Sequence, residues 1–383
     1  MIESPVTTEQ RGAVHFSGDA NGSKDERLIE TSAAVKLMRR PELGAVGGLI
    51  FVTLFFSLAA SPSMFTLAGI MNVLTPAAQL GIIAIGAALL MIGGEFDLSV
   101  GSMIAFSGFV FGTAVVVLHW PLVLAIAVTF IVAAIIGVIN AQLTMRTGLP
   151  SFLVTLAFLF ILRGLSLVGL KWVTGGATQL RGIRQALGNG VFVRAFSGSA
   201  FQDCFSWLAS KGLVAKFADG TLEVPGIPVS IVWFVILAVV ATVLLLRTRF
   251  GNWIFASGGD AQAARNSGVP VSSVKTVLFV VTAVCAAMVG VLTTLDAGST
   301  DALRGSQKEF EAIIAAVIGG CLLTGGYGSA IGAFFGAIIF GMVLIGLSYT
   351  NIDQDWYQVF LGGMLLVSVM FNSVIRRRIT GER

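Results

Sequence analysis

Residues 228–246 run for nineteen positions without one charged side chain. A helix that crosses the roughly 30 Å hydrocarbon core of a bilayer needs about 20 predominantly apolar residues, and few other settings accept such a segment. Comparable stretches recur at 44–60, 65–93, 98–117, 121–141, 151–170, 275–296, 309–323, 329–347 and 357–375. Lipid is therefore the main solvent of this chain. Composition agrees, because only 11% of the 383 residues are charged, against about 25% in ordinary soluble domains. Too few charges remain to cover a water-facing surface of this length. The 46 glycines suit membrane helices that approach closely through small residues. The predicted fold class is an all-α polytopic membrane protein of about ten transmembrane helices.

The basic residues sort by side. Six Lys/Arg lie in 1–43, one is Arg146, four fall in 247–275 and four follow residue 375. With both termini cytoplasmic, fifteen are inside and eight outside, which is the asymmetry of the positive-inside rule. On this reading 1–43 is a polar, disordered cytoplasmic tail and 44–375 a single transmembrane domain. Residues 171–226 form an outer loop, 247–274 a cytoplasmic loop and 376–383 a second cytoplasmic tail. The net charge of +4 reflects this arrangement and not nucleic acid, since no basic run is interleaved with aromatics. Three cysteines and two histidines provide neither a disulfide framework nor a metal spacing. No G-x-x-x-x-G-K-[ST], H-E-x-x-H or G-x-S-x-G occurs. The chain thus lacks a phosphate cradle and a hydrolase signature of its own.

Two places interrupt the apolar pattern. The stretch 64–93 is too long for one simple crossing, since 30 residues span roughly 45 Å, and Pro76 and Gly81 supply a break point near 76–81. The run GGCLLTGGYG (319–328) puts five glycines into ten residues. Broken helices survive in lipid only where protein or a water-lined cavity satisfies the freed backbone, and paired breaks mark transport paths. The two regions also echo each other: IGGEFDLSVGSMIAFSGFVFG (92–112) resembles IGGCLLTGGYGSAIGAFFGAI (318–338). Two structurally related halves are one reading of that echo.

Charges at membrane depth need a reason, because one at a helix centre costs about 2.5–3.5 kcal/mol on insertion scales. Glu95 and Asp97, in GGEFDLSVGS, either line or gate a substrate path or cap the following helix, and the two roles are compatible. Glu309 and Glu311 suit the positive end of a helix opening there. Arg163, near the outer end of its predicted span, snorkels or is paired. The candidate translocation residues are Asn72, Glu95, Phe96, Asp97, Ser99, Thr155, Gly325 and Gly326. On the cytoplasmic side, DAQAARNS between Gly259 and Gly268 reads as about two helical turns. Asp260 is its N-cap, alanines favour it, and Gly268 and Pro270 stop it. It is either an ordinary loop helix or a knob that docks into a soluble partner.

Four segments in register carry a resemblance: GGEFDLSVGS (93–102), LPSFLVTLAFLFILRGL (149–165), FGNWIFASGGDAQAARNSGVPVSSVK (250–275) and EFEAIIAAVIGGCLLTGGYGSAIGAFFGAII (309–339). From about residue 65 to 375 the chain resembles the permease subunits of bacterial monosaccharide ABC importers. The resemblance implies a ten-helix, type II importer permease paired with a second copy in the inner membrane. It implies a cytoplasmic ABC ATPase, which uses ATP and Mg, and a periplasmic sugar-binding protein. No cofactor is implied for this chain. It also implies that 259–268 is the helix coupled to the ATPase, through Gly259, Asp260, Ala263, Ala264, Arg265 and Gly268. Asp260 stands where the family commonly has Asn, and Asn266 where it has Leu, which removes an apolar contact. The loop 171–226, with Phe192, Phe196, Phe201, Phe205 and Trp207, either lies on the outer surface as a helix or helps dock the binding protein. The competing function is a secondary transporter of a small polar solute, coupled to an ion and working without an ATPase; broken helices suit both.

Overall fold

A computed structural model describes residues 41–188 and 190–380. The expected tail 1–43 lies outside these residues except for 41–43, which already belong to the first helix. The elements run α1 (Pro41–Ala59), α2 (Leu67–Ile92), α3 (Val100–Val116), α4 (Leu122–Thr147) and α5 (Ser151–Thr174). The long loop after α5 follows with β1 (Gln179–Arg181), α6 (Ile183–Leu187), α7 (Val191–Phe196), β2 (Ser199–Ala200), α8 (Gln202–Ser210) and β3 (Ile227–Pro228). Then come α9 (Val229–Arg247), α10 (Arg249–Gly259), α11 (Ala261–Asn266), α12 (Val271–Ala297) and β4 (Ser299–Asp301). The chain closes with α13 (Lys308–Ile318), α14 (Ala330–Gly346) and α15 (Trp356–Thr380).

Each of the ten predicted spans contains a helix. Among the described residues, seven helices are long and apolar enough to cross a membrane, while Val100–Val116 and the apolar part of α15, Trp356–Val367, are shorter. The segment 309–323 is not a span by itself. Its helix, α13, stops at Ile318 after 11 residues, about 17 Å of rise, and the glycine run 319–328 carries the chain onward. The last helix continues to Thr380, so residues 376–380 of the expected tail are helical, and 381–383 lie outside the described residues.

The expected break near 76–81 is absent. Helix α2 is continuous over 26 residues with Pro76 inside it. Proline removes one hydrogen bond and crowds the preceding turn, but close packing on both sides holds this helix together. The ring of Phe234 lies against Gly81, and Ala77 lies against Gly341 of α14. A helix longer than the bilayer is thick is accommodated by tilting. Helices α2 and α12 form the centre of the core, where Ile82, Ile83, Leu90, Phe279 and Ala286 are fully enclosed. Small residues let α14 close on α13: Gly336 abuts the Ala315 carbonyl and Gly332 abuts Gly319.

The echo between 92–112 and 318–338 is a structural repeat. After α2, the amides of Gly93, Gly94 and Glu95 bond to the carbonyls of Leu89, Met91 and Leu90 at 3.1, 2.9 and 3.1 Å. After α13, Gly319, Gly320 and Cys321 bond to Ala315, Val317 and Ala316 at 2.9, 2.9 and 3.0 Å. The second glycine of each pair is left-handed, with φ of +83° at Gly94 and +89° at Gly320, a conformation that suits residues without Cβ. An irregular segment follows each, and then a 17-residue helix.

The long loop between α5 and α9 is built of short pieces. Strand β1 pairs antiparallel with β4, Leu180 opposite Thr300, and β2 pairs with β3. Helix α8 buries Phe205 and Ala209 and leaves Trp207 exposed, as is Phe201 just before it. Phe196 packs on Trp233, with ring centroids 5.6 Å apart.

Candidate functional site

Three glycine-bearing turns meet at one end of the bundle: 93–99 after α2, 319–328 after α13, and Gly258-Gly259 at the end of α10. The Gly326 amide donates to the Ile92 carbonyl at 2.9 Å. A methyl group on Gly258 would overlap that carbonyl and the Gly326 nitrogen, and one on Gly325 would sit 2.8 Å from the Gly94 Cα. Three backbones are thus stacked with no side chain between them.

The segment 93–99 is held from every direction. Glu95 makes a 2.5 Å ion pair with Lys275 in the second turn of α12, their side chains 13% and 11% exposed. The Phe96 amide donates to Ser151 Oγ and the Leu98 amide to Thr155 Oγ1, both at 3.0 Å, which fastens the loop to the start of α5. Asp97 is 4% exposed. Its Oδ1 accepts from the Ser99 amide at 2.8 Å and from Ser99 Oγ at 2.5 Å. Ser99 Oγ in turn accepts from Asn140 Nδ2 of α4 at 3.1 Å. Asp97 Oδ2 and Asn140 Oδ1 have no hydrogen-bond partner among the described residues. In this conformation the Asp97 carboxyl faces packed helices and anchors the turn that starts α3.

Seven of the eight candidate translocation residues gather here: Glu95, Phe96, Asp97, Ser99 and Thr155 around the first break, Gly325 and Gly326 from the second. Asn72 does not join them. It lies on α2 roughly 30 Å along the helix from Ile92, where its Nδ2 donates to the Tyr349 hydroxyl at 3.3 Å.

Helix α11 leaves this junction directly. Asp260 caps it, with Oδ1 accepting from the Gln262 and Ala263 amides at 2.9 Å each. The Val269 amide closes the other end on the Ala264 carbonyl at 3.0 Å. Gln262, Ala263, Arg265 and Asn266 are exposed, whereas Ala264 is 5% exposed and seats the helix on its own protein. Gly268 is exposed and its missing side chain would point into open space, but its φ of +83° is left-handed. Its role is therefore conformational and not close packing.

A second polar cluster surrounds Arg163, which the structure places at the middle of α5 and not near its outer end. Its Nη1 donates to the carbonyls of Ala302 and Arg304 at 3.1 Å each. The arginine is paired, and it holds the irregular segment that follows β4. Arg304 bonds to Asp301 and to the Thr293 carbonyl. Glu309 and Glu311 are buried in the first turn of α13, where the helix dipole favours acids, and Glu311 pairs with Lys308.

Sequence reasoning missed Gly258, Ser151, Asn140 and Lys275. Asn140 was detectable as a lone carboxamide in an apolar span. Lys275 stood at the start of a predicted span, but its partner is 180 positions away.

Seven long apolar helices, with matched glycine breaks after α2 and after the short α13, mark a multi-pass membrane protein. The chain belongs to the family described as branched-chain amino acid transport system / permease component, which it matches over residues 69–369. It is 29% identical to the xylose transport system permease protein of Escherichia coli (strain K12), across 94% of this chain and 99% of that protein. The xylose transport system permease protein of Haemophilus influenzae is also 29% identical, across 85% of this chain and 94% of its own length. The ribose import permease protein of E. coli (strain K12) is 29% identical over 82% of this chain and 88% of its own. No solved structure matches the chain.

Proposed function

We propose that this chain is the permease subunit of an ABC importer that carries a monosaccharide, a pentose or hexose, across the bacterial inner membrane. Relatives named for xylose and ribose align along most of their own length, which favours a sugar over the amino acids in the family's description. The observation that carries the ABC reading is α11, a capped helix that turns Ala264 inward and presents Gln262, Ala263, Arg265 and Asn266 to solvent. So short a helix is marginal in water without packing. A transporter that works alone has no use for one fixed to its two breaks, which weighs against the ion-coupled alternative.

In this reading both termini and α11 are cytoplasmic, and the loop from β1 to β3 faces the periplasm. The chain carries no phosphate cradle, so ATP and Mg are used by a separate cytoplasmic ATPase. A second copy of the permease completes the membrane part, and a periplasmic binding protein delivers the sugar. The breaks at 93–99 and 319–328 form the inner gate, because irregular backbone at membrane depth is placed where a path opens.

The test is proximity. A single cysteine at Ala263, in membranes that hold the complete transporter, is treated with a short bifunctional thiol reagent. A permease–ATPase adduct is expected. Normal labelling of that cysteine by a small maleimide, with no adduct formed, would contradict the assignment of α11.

A further inference from the structure

We propose that Lys275 is a positioning residue that, with the glycine stack at Gly258, makes a strut from α11 to both breaks. The inference rests on the reading of α11 as the ATPase contact and deepens it by naming the route from that contact to the gate. Helix α11 is tied down at both ends, and each tie leads to a break.

On its N-terminal side, Gly258 lies against the Ile92 carbonyl and the Gly326 amide, with Gly259 against Gly326. A displacement of α10 or α11 therefore pushes on backbone and not on flexible side chains. Packed interiors have low compressibility and pass strain on. On its C-terminal side, the turn Gly268–Pro270 is short, and Val271 begins α12, with its amide bonded to the Val269 carbonyl at 2.9 Å. Lys275 comes one turn later and reaches Glu95 across 2.5 Å. Glu95 is itself pinned, since its amide bonds to the Leu90 carbonyl at 3.1 Å. Its neighbour Phe96 is held by Ser151. Movement of α11 thus reaches 93–99 by two routes, Gly258 and Lys275, and reaches 319–328 through Gly326.

An ion pair enclosed at this level is sensitive to charge reversal, because a buried like-charge contact has no water to relieve it. A purely structural pair and a transmitting pair differ in what fails. Loss of a structural pair lowers abundance and assembly. Loss of a transmitting pair leaves the assembled transporter hydrolysing ATP without moving sugar.

The experiment uses the complete transporter, with ATPase and binding protein, in proteoliposomes. Sugar uptake and ATP hydrolysis are measured in the same vesicles. For Lys275→Glu, sugar moved per ATP is expected to fall about tenfold, while ATPase co-purification and hydrolysis persist. Adding Glu95→Lys to the same chain should restore most of the coupling, because the reversed charges pair again. Wild-type sugar per ATP in Lys275→Glu, or no rescue by the swapped pair, overturns the strut. If Lys275→Glu does not assemble, Lys275→Met is read in the same way, and unchanged coupling there also overturns it. ATP-independent uptake by the wild-type complex would instead sink the underlying ABC reading.

Discussion

The Gly326 amide donates to the Ile92 carbonyl across 2.9 Å, so the end of α2 is capped by the glycine run that follows α13. Two elements that are distant in sequence close on each other through main chain alone. Gly258 lies in the same contact, so the adjacent glycines 258 and 259 are expected to differ in what they tolerate.

Gly258→Ala is expected to destabilise the protein by about 1–3 kcal/mol through overpacking. Its methyl group would overlap the Ile92 carbonyl and the Gly326 nitrogen. Gly259→Ala, whose methyl group would meet only the Gly326 Cα at 3.9 Å, should match wild type. Thermal midpoints of the two purified variants decide the matter, and equal midpoints would contradict the packing described.

Gly268 makes a conformational demand. Alanine there pays about 1–2 kcal/mol for a left-handed backbone, and asparagine pays less. ATPase co-purification should therefore fall in the order glycine, asparagine, alanine. An alanine variant that binds the ATPase as well as wild type would show that the turn after α11 is not held in this form.

Asp97→Asn keeps an oxygen to accept from the Ser99 amide and hydroxyl, so membrane abundance should be unchanged. Asp97→Ala leaves buried donors unpaired, at a cost of about 1–3 kcal/mol, and abundance should drop. Equal abundance of both variants would refute the anchoring role. Lost uptake by Asp97→Asn at normal abundance would add a role for the carboxylate in the sugar path.

Arg163→Leu strands the part-buried Ala302 and Arg304 carbonyls beside the middle of α5, and an acceptor left unmet costs up to about 1–3 kcal/mol where it is fully buried. Quantified membrane levels should fall sharply, with Arg163→Lys intermediate. Wild-type levels for the leucine variant would leave the arginine as a side chain merely reaching for the interface.

The helices were legible in the sequence because lipid imposes a length and a composition on each of them. Matched Gly-Gly turns were legible too, as an echo of composition, and α11 was bounded correctly by Asp260 and Gly268. What sits against what was not. Pro76 argued for a break by a local rule, and packing through Gly81 and Gly341 overrode it. The inward turn of Ala264 cannot be read from a six-residue helix, which has too few turns to show a face. Arg163 looked peripheral because its helix runs on to Thr174, further than its apolar core. Lys275 and Glu95 meet only because α12 packs beside the end of α2, a contact no local pattern encodes.

In the proposed function a separate ATPase energises this permease. The most direct test is sugar uptake into proteoliposomes that hold the permease with or without its ATPase, with binding protein and ATP supplied on their proper sides. Uphill uptake is expected only with the ATPase and ATP present, and it should persist when proton and sodium gradients are collapsed. Accumulation by the permease alone, driven by either gradient, would contradict the account.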